Sequence, residues 1–236
     1  MIPWINADDE FPPVERAPSR YGGLICAGGD LSPERLLAAY RRGIFPWFSP
    51  GEPILWWSPD PRMVLYPEEF RTTRSLRQTL RKGDYELRFD DDFAAVIRAC
   101  ADTPRKGQDG TWITPEMQEA YTRLFDLGFA HAVETRVDGE LVGGLYGVAV
   151  GKIFYGESMF SHRPDASKIA MAHLVRFLAA RGFGLIDCQM KTRHLASLGA
   201  REIPRARFIE SVRALTAIEP LKESWAKAPG EVFDPF

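Results

Sequence analysis

The stretch FAHAVETRVDGELVGGLYGVAVGKIFYGESMF, residues 129–160, decides the fold. It reads as three consecutive strands, over 129–137, 140–150 and 152–159. Between the first two stands Asp138-Gly139, the pair favoured in a two-residue type I′ turn, where both central residues need positive φ. A long helix is expected next, over about 165–181, with Gly182 ending it. Gly184–Gln189 then reads as a short strand, and short helices, a strand and a last helix near 205–216 close the chain.

Working upstream, Thr114-Pro115 opens a helix with Met117, Tyr121, Leu124 and Phe125 on one face and Gly128 just past its end. Residues 91–101 form another helix and Tyr85–Phe89 a strand. Thr72–Lys82 is a basic helix stopped by Gly83, and Met63–Tyr66 is a strand. Two helices, three antiparallel strands, a long helix, and then strand, helix and strand make up the order of an N-acyltransferase-type sheet. The expected class is therefore α+β: a small N-terminal domain followed by an N-acyltransferase-like (GNAT-type) mixed sheet flanked by helices.

Before Arg62 the pattern changes. Ser32-Pro33 caps a helix with Leu36, Leu37, Tyr40 and Ile44 as its apolar stripe. The next segment, IFPWFSPGEPILWWSPDPR (44–62), crowds Trp47, Trp56 and Trp57 among prolines that fix φ and remove donors. It reads as an ordered, extended loop, and residues 1–31 show little period. The expected division is 1–62 and 63–236.

Composition narrows the class. The 236 residues carry a net charge of −2, so nucleic acid would have to be met by a local patch. Cys26, Cys100 and Cys188 show no metal-binding spacing and read as free thiols of a reducing compartment. No signal peptide and no apolar run long enough to span a bilayer are evident, which points to the cytoplasm.

Four features carry chemistry. In the strand Leu185–Gln189, alternation places Asp187 and Gln189 on one face. An ionised Asp187 accepting from the Gln189 amide would turn the amide oxygen outward as a fixed acceptor; the same pair would also serve to satisfy strand-end backbone. Glu157 sits among apolar residues and needs a partner, either a substrate cation or a structural one. Trp47, Trp56, Trp57, Trp112 and Tyr121 offer faces for a nucleobase or for the core, and core packing is expected for at least two of the loop tryptophans. Arg74, Arg77 and Arg81, flanked by Arg71 and Lys82, line one helix face suited to phosphates, with Arg41, Arg42, Arg105 and Lys106 as extensions; the plain alternative is a solvated face. No phosphate-loop, dinucleotide-binding or nucleophile-elbow motif is present, and the four histidines are scattered, so no metal site is expected. The loop SMFSHRPDASK (158–168) lacks the glycine-rich turn that would cradle the phosphates of CoA at a helix N-terminus.

These segments resemble the leucyl/phenylalanyl-tRNA–protein transferase family. The resemblance is carried by residues 28–62, by GTWITPEMQEAYTRLFDLGFAHAVE (110–134), by residues 140–161, by ASK (166–168) and by LIDCQMKTRHLASLGAREIPR (185–205). It implies transfer of Leu, Phe and, more weakly, Met from aminoacyl-tRNA to proteins beginning with Arg or Lys, marking them for degradation, with no cofactor and no metal. It implies a catalytic pair at Asp187 and Gln189, and an acid near the acceptor amine at Glu157. Contacts to the 3′-adenosine fall on Trp47, Trp112 and Tyr121, and the donor side-chain pocket on Leu145, Phe154 and Ile186. Leu145 departs from the methionine expected in some members, a swap that roughly conserves volume. Phosphate contacts from Arg74, Arg77, Arg81 and Lys82 match in character rather than residue by residue. The rival readings are a CoA-dependent N-acetyltransferase of the same fold, a non-catalytic tRNA-binding module, and a transferase acting on lysine-bearing cell-wall precursors.

Overall fold

The computed structural model describes residues 2–17, 21–104, 111–220 and 225–227. Its first layer is a four-stranded sheet in the order β1-β2-β4-β3. The strands are β1 (Trp4–Ile5), β2 (Leu24–Gly28), β3 (Phe45–Pro46) and β4 (Leu55–Trp57), and helix α1 (Pro33–Tyr40) runs between β2 and β3. The segment expected to be a strandless loop thus contributes two short strands, and residues 1–31 contribute two more. All five residues of β2 are buried, so the segment shows no polar/apolar alternation to betray it. Trp56 is sealed in this layer, its Nε1 donating to the Gly28 carbonyl at 2.8 Å and its ring 4.8 Å from Phe11.

A seven-stranded sheet follows, in the order β11-β5-β10-β9-β8-β7-β6. In chain order the elements are β5 (Arg62–Leu65), α2 (Arg74–Lys82), β6 (Glu86–Phe89), α3 (Phe93–Asp102), α4 (Pro115–Asp126), β7 (Ala130–Val137), β8 (Glu140–Val150), β9 (Ile153–Ser161), α5 (Ala166–Ala180), β10 (Leu185–Gln189), α6 (Arg193–Ser197), β11 (Arg201–Ile203) and α7 (Arg205–Thr216). The signals at Ser32, Thr114 and Asp138-Gly139 act as expected, and the helices expected from residues 72 and 91 are capped one residue further on. Ser32, Thr73, Asp92 and Thr114 cap their helices by accepting a backbone N–H three residues on. Asp138 and Gly139 both take positive φ, at 54° and 79°, as a type I′ turn needs.

Side chains alternate across the large sheet into two apolar layers. Ala132, Tyr146, Tyr155 and Leu185 pack with α1, α3, α4 and the small sheet; Val133, Leu145, Phe154 and Ile186 pack with α5 and α2. The first layer is continuous from Ile5 and Trp56 through to Phe208, so the small sheet and the large one share a core. Among the described residues no helix is long and apolar enough to cross a membrane.

Two irregularities at the sheet's centre create the site. The parallel ladder between β9 and β10 pairs Leu185 with Ile153, Ile186 with Phe154 and Asp187 with Tyr155, and ends there. At that level both strands bulge. Against β8, Tyr146 faces Ser158 and Gly147 faces Gly156, which leaves Glu157 as the extra residue. Against β5, Asp187 faces Val64 and Gln189 faces Met63, which leaves Cys188 as the extra residue. A bulge bends its strand and re-aims side chains, so two on neighbouring strands open the sheet between them. Gly147 is required opposite the first: a Cβ there would stand 2.2 Å from the Tyr155 carbonyl oxygen and 2.6 Å from the Phe154 ring.

Candidate active site

A cavity of about 390 Å³ fills the opening. That is within the ~300–1,000 Å³ usual for a small-molecule site. Its floor is apolar: Leu145 from β8, Phe154 and Met159 from β9, Met171 and Leu174 from α5, Ile186 from β10 and Leu195 from α6. Its other wall is Phe45, Pro46, Trp47 and Trp112, and its polar rim includes Glu157, Ser158, Gln189, Lys191 and Thr192. Leu145, Phe154, Ile186, Trp47, Trp112, Glu157 and Gln189 are thereby brought to one space from separate stretches of chain. Trp57 lies behind Trp47, its Nε1 donating to the Trp47 carbonyl at 2.7 Å.

Asp187 is elsewhere. Its carboxylate is fully buried on the opposite face from Ile186 and accepts from Arg62 Nε at 2.8 Å and Nη2 at 2.6 Å. Arg62, equally buried, lies between the rings of Phe45 and Phe208, 4.7 and 4.5 Å from their centroids. The expected side-chain pairing of Asp187 with Gln189 is therefore replaced. Asp187 Oδ1 accepts the backbone N–H of Gln189 at 2.9 Å, and the Gln189 Nε2 donates instead to Glu157 Oε1 at 3.1 Å. The physical reason is the bulge at Cys188, which puts Gln189 in the left-handed region (φ 60°) and breaks the alternation that would have kept the two side chains together. Asp187 anchors the Gln189 backbone, and that anchor holds a conformation that a non-glycine residue adopts only under constraint.

Glu157 is buried at the head of the cavity with three hydrogen-bond donors and, among the described residues, no cation. Tyr40 Oη donates to its Oε1 at 2.8 Å and Tyr121 Oη to its Oε2 at 3.0 Å, and Gln189 supplies the third. The two phenol oxygens are themselves 2.5 Å apart. Burial pushes the Glu157 carboxyl up to about 7; the Tyr40, Tyr121 and Gln189 bonds pull the other way, and the charge of Asp187 adds to the rise. Burial, and then the Glu157 charge, raise both phenols well above the usual tyrosine value. Burial likewise pushes the Cys188 thiol far up, so the thiol lining the cavity is held protonated.

Tyr121 corrects an expectation. It is fully buried, does not line the cavity and has its hydroxyl committed to Glu157 and Tyr40, so it presents no face to a nucleobase. Arg74, Arg77, Arg81 and Lys82 lie on the exposed side of α2, which buries Leu76 and Leu80 beneath them; none lines the cavity, and Lys82 is paired with Asp84. Arg42 is bonded to Glu10 and to the Phe11 carbonyl. Arg105 and Lys106 lie outside the described residues. Sequence reasoning missed Arg62 and missed Tyr40 as a site residue. Tyr40 falls on the apolar stripe of α1 and reads as core, and Arg62 lies next to a proline run with nothing local to mark its partner. Among the described residues no cluster of His, Cys, Asp or Glu is placed to hold a metal.

A mixed sheet that parts between two parallel strands, with an apolar pocket on one side of the opening and hydrogen-bonding groups at its rim, is the architecture of an N-acyltransferase-type sheet. Comparison with known proteins narrows the class. Residues 64–213 match the family described as leucyl/phenylalanyl-tRNA protein transferase, and residues 29–60 match that family's N-terminal domain. The chain belongs to the leucyl/phenylalanyl-tRNA protein transferase family and is a transferase. The transferase of this name from Dechloromonas aromatica is 62% identical over 97% of this chain and 98% of its own length. That from an Azoarcus species is 58% identical over 99% of each. Among solved structures, L-PGS from Bacillus licheniformis aligns at a TM-score of 0.41 with 12% identity, covering 67% of this chain and 52% of that one. An aminoglycoside acetyltransferase from a soil metagenome aligns at 0.37 with 16% identity, over 61% and 95%. At those scores the likeness is loose and says nothing of substrate.

Proposed function

We propose that the protein moves Leu, Phe or Met from the 3′ end of an aminoacyl-tRNA to the α-amine of a protein beginning with Arg or Lys, in the cytoplasm, an addition that marks the acceptor for degradation. The observation that carries this reading is the single cavity that joins an apolar floor to a carboxylate–amide rim. The donor side chain occupies the floor of Leu145, Phe154, Met171 and Ile186. The terminal adenosine lies against Trp47 and Trp112, where stacking contributes ~1–3 kcal/mol per base. An apolar pocket distinguishes one methylene by only ~1–3 kcal/mol, so Leu, Phe and Met are all accepted, and β-branched side chains are disfavoured by shape.

The chemistry asks little of a base. The donor is an ester, and an α-amine with a pKa near ~7.7–8.0 is roughly 10–20% neutral around pH 7. Holding amine and ester together is the larger lever, worth up to ~7–11 kcal/mol as effective molarity. The amine nitrogen attacks the ester carbonyl carbon, the bond to the 3′ oxygen breaks, and that oxygen leaves with a proton. Gln189, its Nε2 held by Glu157 and its backbone held by Asp187, aims the amine through its amide oxygen. Asp187 acts on the reaction only through Gln189. The arginines of α2 face the tRNA phosphates.

An acetyltransferase reading is disfavoured by the start of α5. Asp165 occupies the cap position with φ 62° and its carboxylate paired with Lys168 at 2.6 Å, and the turn 158–168 holds no glycine, so the helix end lacks the glycine-rich cradle that would receive a CoA pyrophosphate. The deciding experiment uses the purified protein, tRNA charged with radiolabelled leucine, and peptides beginning with Arg, Lys or Ala. Label is expected on the Arg and Lys peptides alone. Equal labelling of the Ala peptide, or a gain of one acetyl group from acetyl-CoA with no transfer of leucine, overturns the proposal.

A further inference from the structure

Three oxygen-bearing groups meet at the head of the cavity, and their protons can be counted. The contacts are Tyr40 Oη to Glu157 Oε1, Tyr121 Oη to Glu157 Oε2, and Tyr40 Oη to Tyr121 Oη, at 2.8, 3.0 and 2.5 Å. A phenol carries one proton and an ionised carboxylate none. With Glu157 ionised, two protons serve three contacts. If both phenols point at the carboxylate, their oxygens face each other with lone pairs only. With Glu157 protonated, three protons serve three contacts and the bonds run head to tail around a closed ring. The Gln189 amide fits both states, since it donates to Oε1 in either.

We infer that Tyr40, Tyr121 and Glu157 form a proton-accepting ring, one proton short when the acceptor amine arrives and complete once that amine has been deprotonated. This rests on the transfer reading above and adds a route for the proton. The step balances. Glu157 as carboxylate takes one proton from the α-ammonium, giving a neutral amine and a protonated carboxyl. The amine attacks the ester, its second proton leaves on the 3′ oxygen, and Glu157 returns its proton to solvent after the products depart. Tyr40 and Tyr121 are positioning residues, acting through Glu157.

Several polar and charged groups surround the ring; Lys191, which lines the same cavity, is paired with Glu202. Tyr40 comes from α1 and Tyr121 from α4, and Tyr146 of β8 backs Tyr121 at 5.7 Å between ring centroids. Tyr155 of β9 turns its hydroxyl to the Tyr40 carbonyl at 2.7 Å, and the thiol of Cys188 on β10 is held neutral by burial. Asp187 of β10 is the nearest like charge, and Arg62 of β5 commits its Nε and Nη2 to Asp187. Among the described residues no cation neutralises Glu157, so the phenols and the amide are what hold its ionised form.

The test is an infrared pH titration of the substrate-free protein, paired with the pH dependence of single-turnover transfer. Wild type is expected to show a carboxylic-acid C=O band, absent from Glu157→Gln, that titrates close to neutrality and matches the acid limb of the rate. Tyr40→Phe and Tyr121→Phe keep the rings and remove one donor each from the ion. Each is expected to shift both the band and the limb upward by about one pH unit, because hydrogen bonds to an ion are the stronger ones. Unchanged melting curves establish folding. A Glu157 band that titrates in the ordinary carboxylate range overturns the ring, as does an acid limb unmoved in both phenylalanine variants. The titration needs no substrate, so its failure strikes the ring alone, whereas a wild-type protein that transfers to no peptide strikes the transfer reading alone.

Discussion

Replacing Arg62 by Met separates what the Arg62–Asp187 pair does for stability from what it does for transfer. Both side chains are fully buried, and the guanidinium fork meets the carboxylate at 2.8 and 2.6 Å. Removing one partner leaves the other as an uncompensated charge in the core, at a cost of ~3–5 kcal/mol. Methionine is long and flexible enough to lie between Phe45 and Phe208, so little of the loss comes from a cavity. For a chain of this size each kcal/mol moves Tm by ~2–4 °C, so Arg62→Met is expected to melt roughly 6–20 °C below wild type. Adding Asp187→Leu removes the stranded charge, and an apolar pair in place of a buried ion pair is often neutral. The double variant then regains most of the loss but not all, because the Gln189 N–H loses its acceptor, a deficit of ~1–3 kcal/mol. Transfer does not recover with stability, since nothing now holds Gln189 at φ 60°. Scanning calorimetry and single-turnover transfer on the three proteins read both quantities. An Arg62→Met protein that melts within about 2 °C of wild type, or a double variant that melts below the single one, would refute the reasoning.

Phe154 is 1% exposed and forms the pocket floor. Phe154→Ala is expected to lower stability by ~3–5 kcal/mol and to weaken leucine transfer more than transfer of phenylalanine or methionine; equal loss across the donors would remove the side-chain pocket from that position. Glu157 titrates near 7 in the fold against 4.5 in the open chain, so the folded state holds its proton more tightly. The benefit is present below 4.5 and is lost as pH rises to 7, a fall of about 3 kcal/mol that a neutral glutamine escapes. The Tm of Glu157→Gln minus that of wild type should therefore grow from pH 4.5 to 7 and then level, and a gap that shrinks over that window contradicts the assignment. Charge reversal at Arg74 or Arg77 is expected to flatten the slope of log K for tRNA against log salt by ~0.7 for each phosphate left without its arginine. An unchanged slope makes α2 a plain solvated face.

What the sequence determined alone was whatever is decided within a turn or two of the chain. Capping residues at Ser32, Thr73, Asp92 and Thr114 set helix starts, and Asp138-Gly139 set the central hairpin. The odd placement of Glu157 in an apolar strand and of an acid and amide at the end of another marked the candidate site, because a buried polar group needs a partner wherever it sits. Which partner it gets is a matter of register, and register belongs to the tertiary structure. Arg62 meets Asp187 across 125 residues and Tyr40 meets Glu157 across 117. Two bulges on neighbouring strands decide that Gln189 turns to Glu157 while Asp187 turns to Arg62. Strand alternation predicts the opposite pairing, and one extra residue per strand is enough to reverse it, because each strand's side chains change face with every residue. The four-stranded sheet was hidden for a related reason: its strands are too short, too proline-rich or too fully buried to show a period, and only the layer they pack against makes them strands.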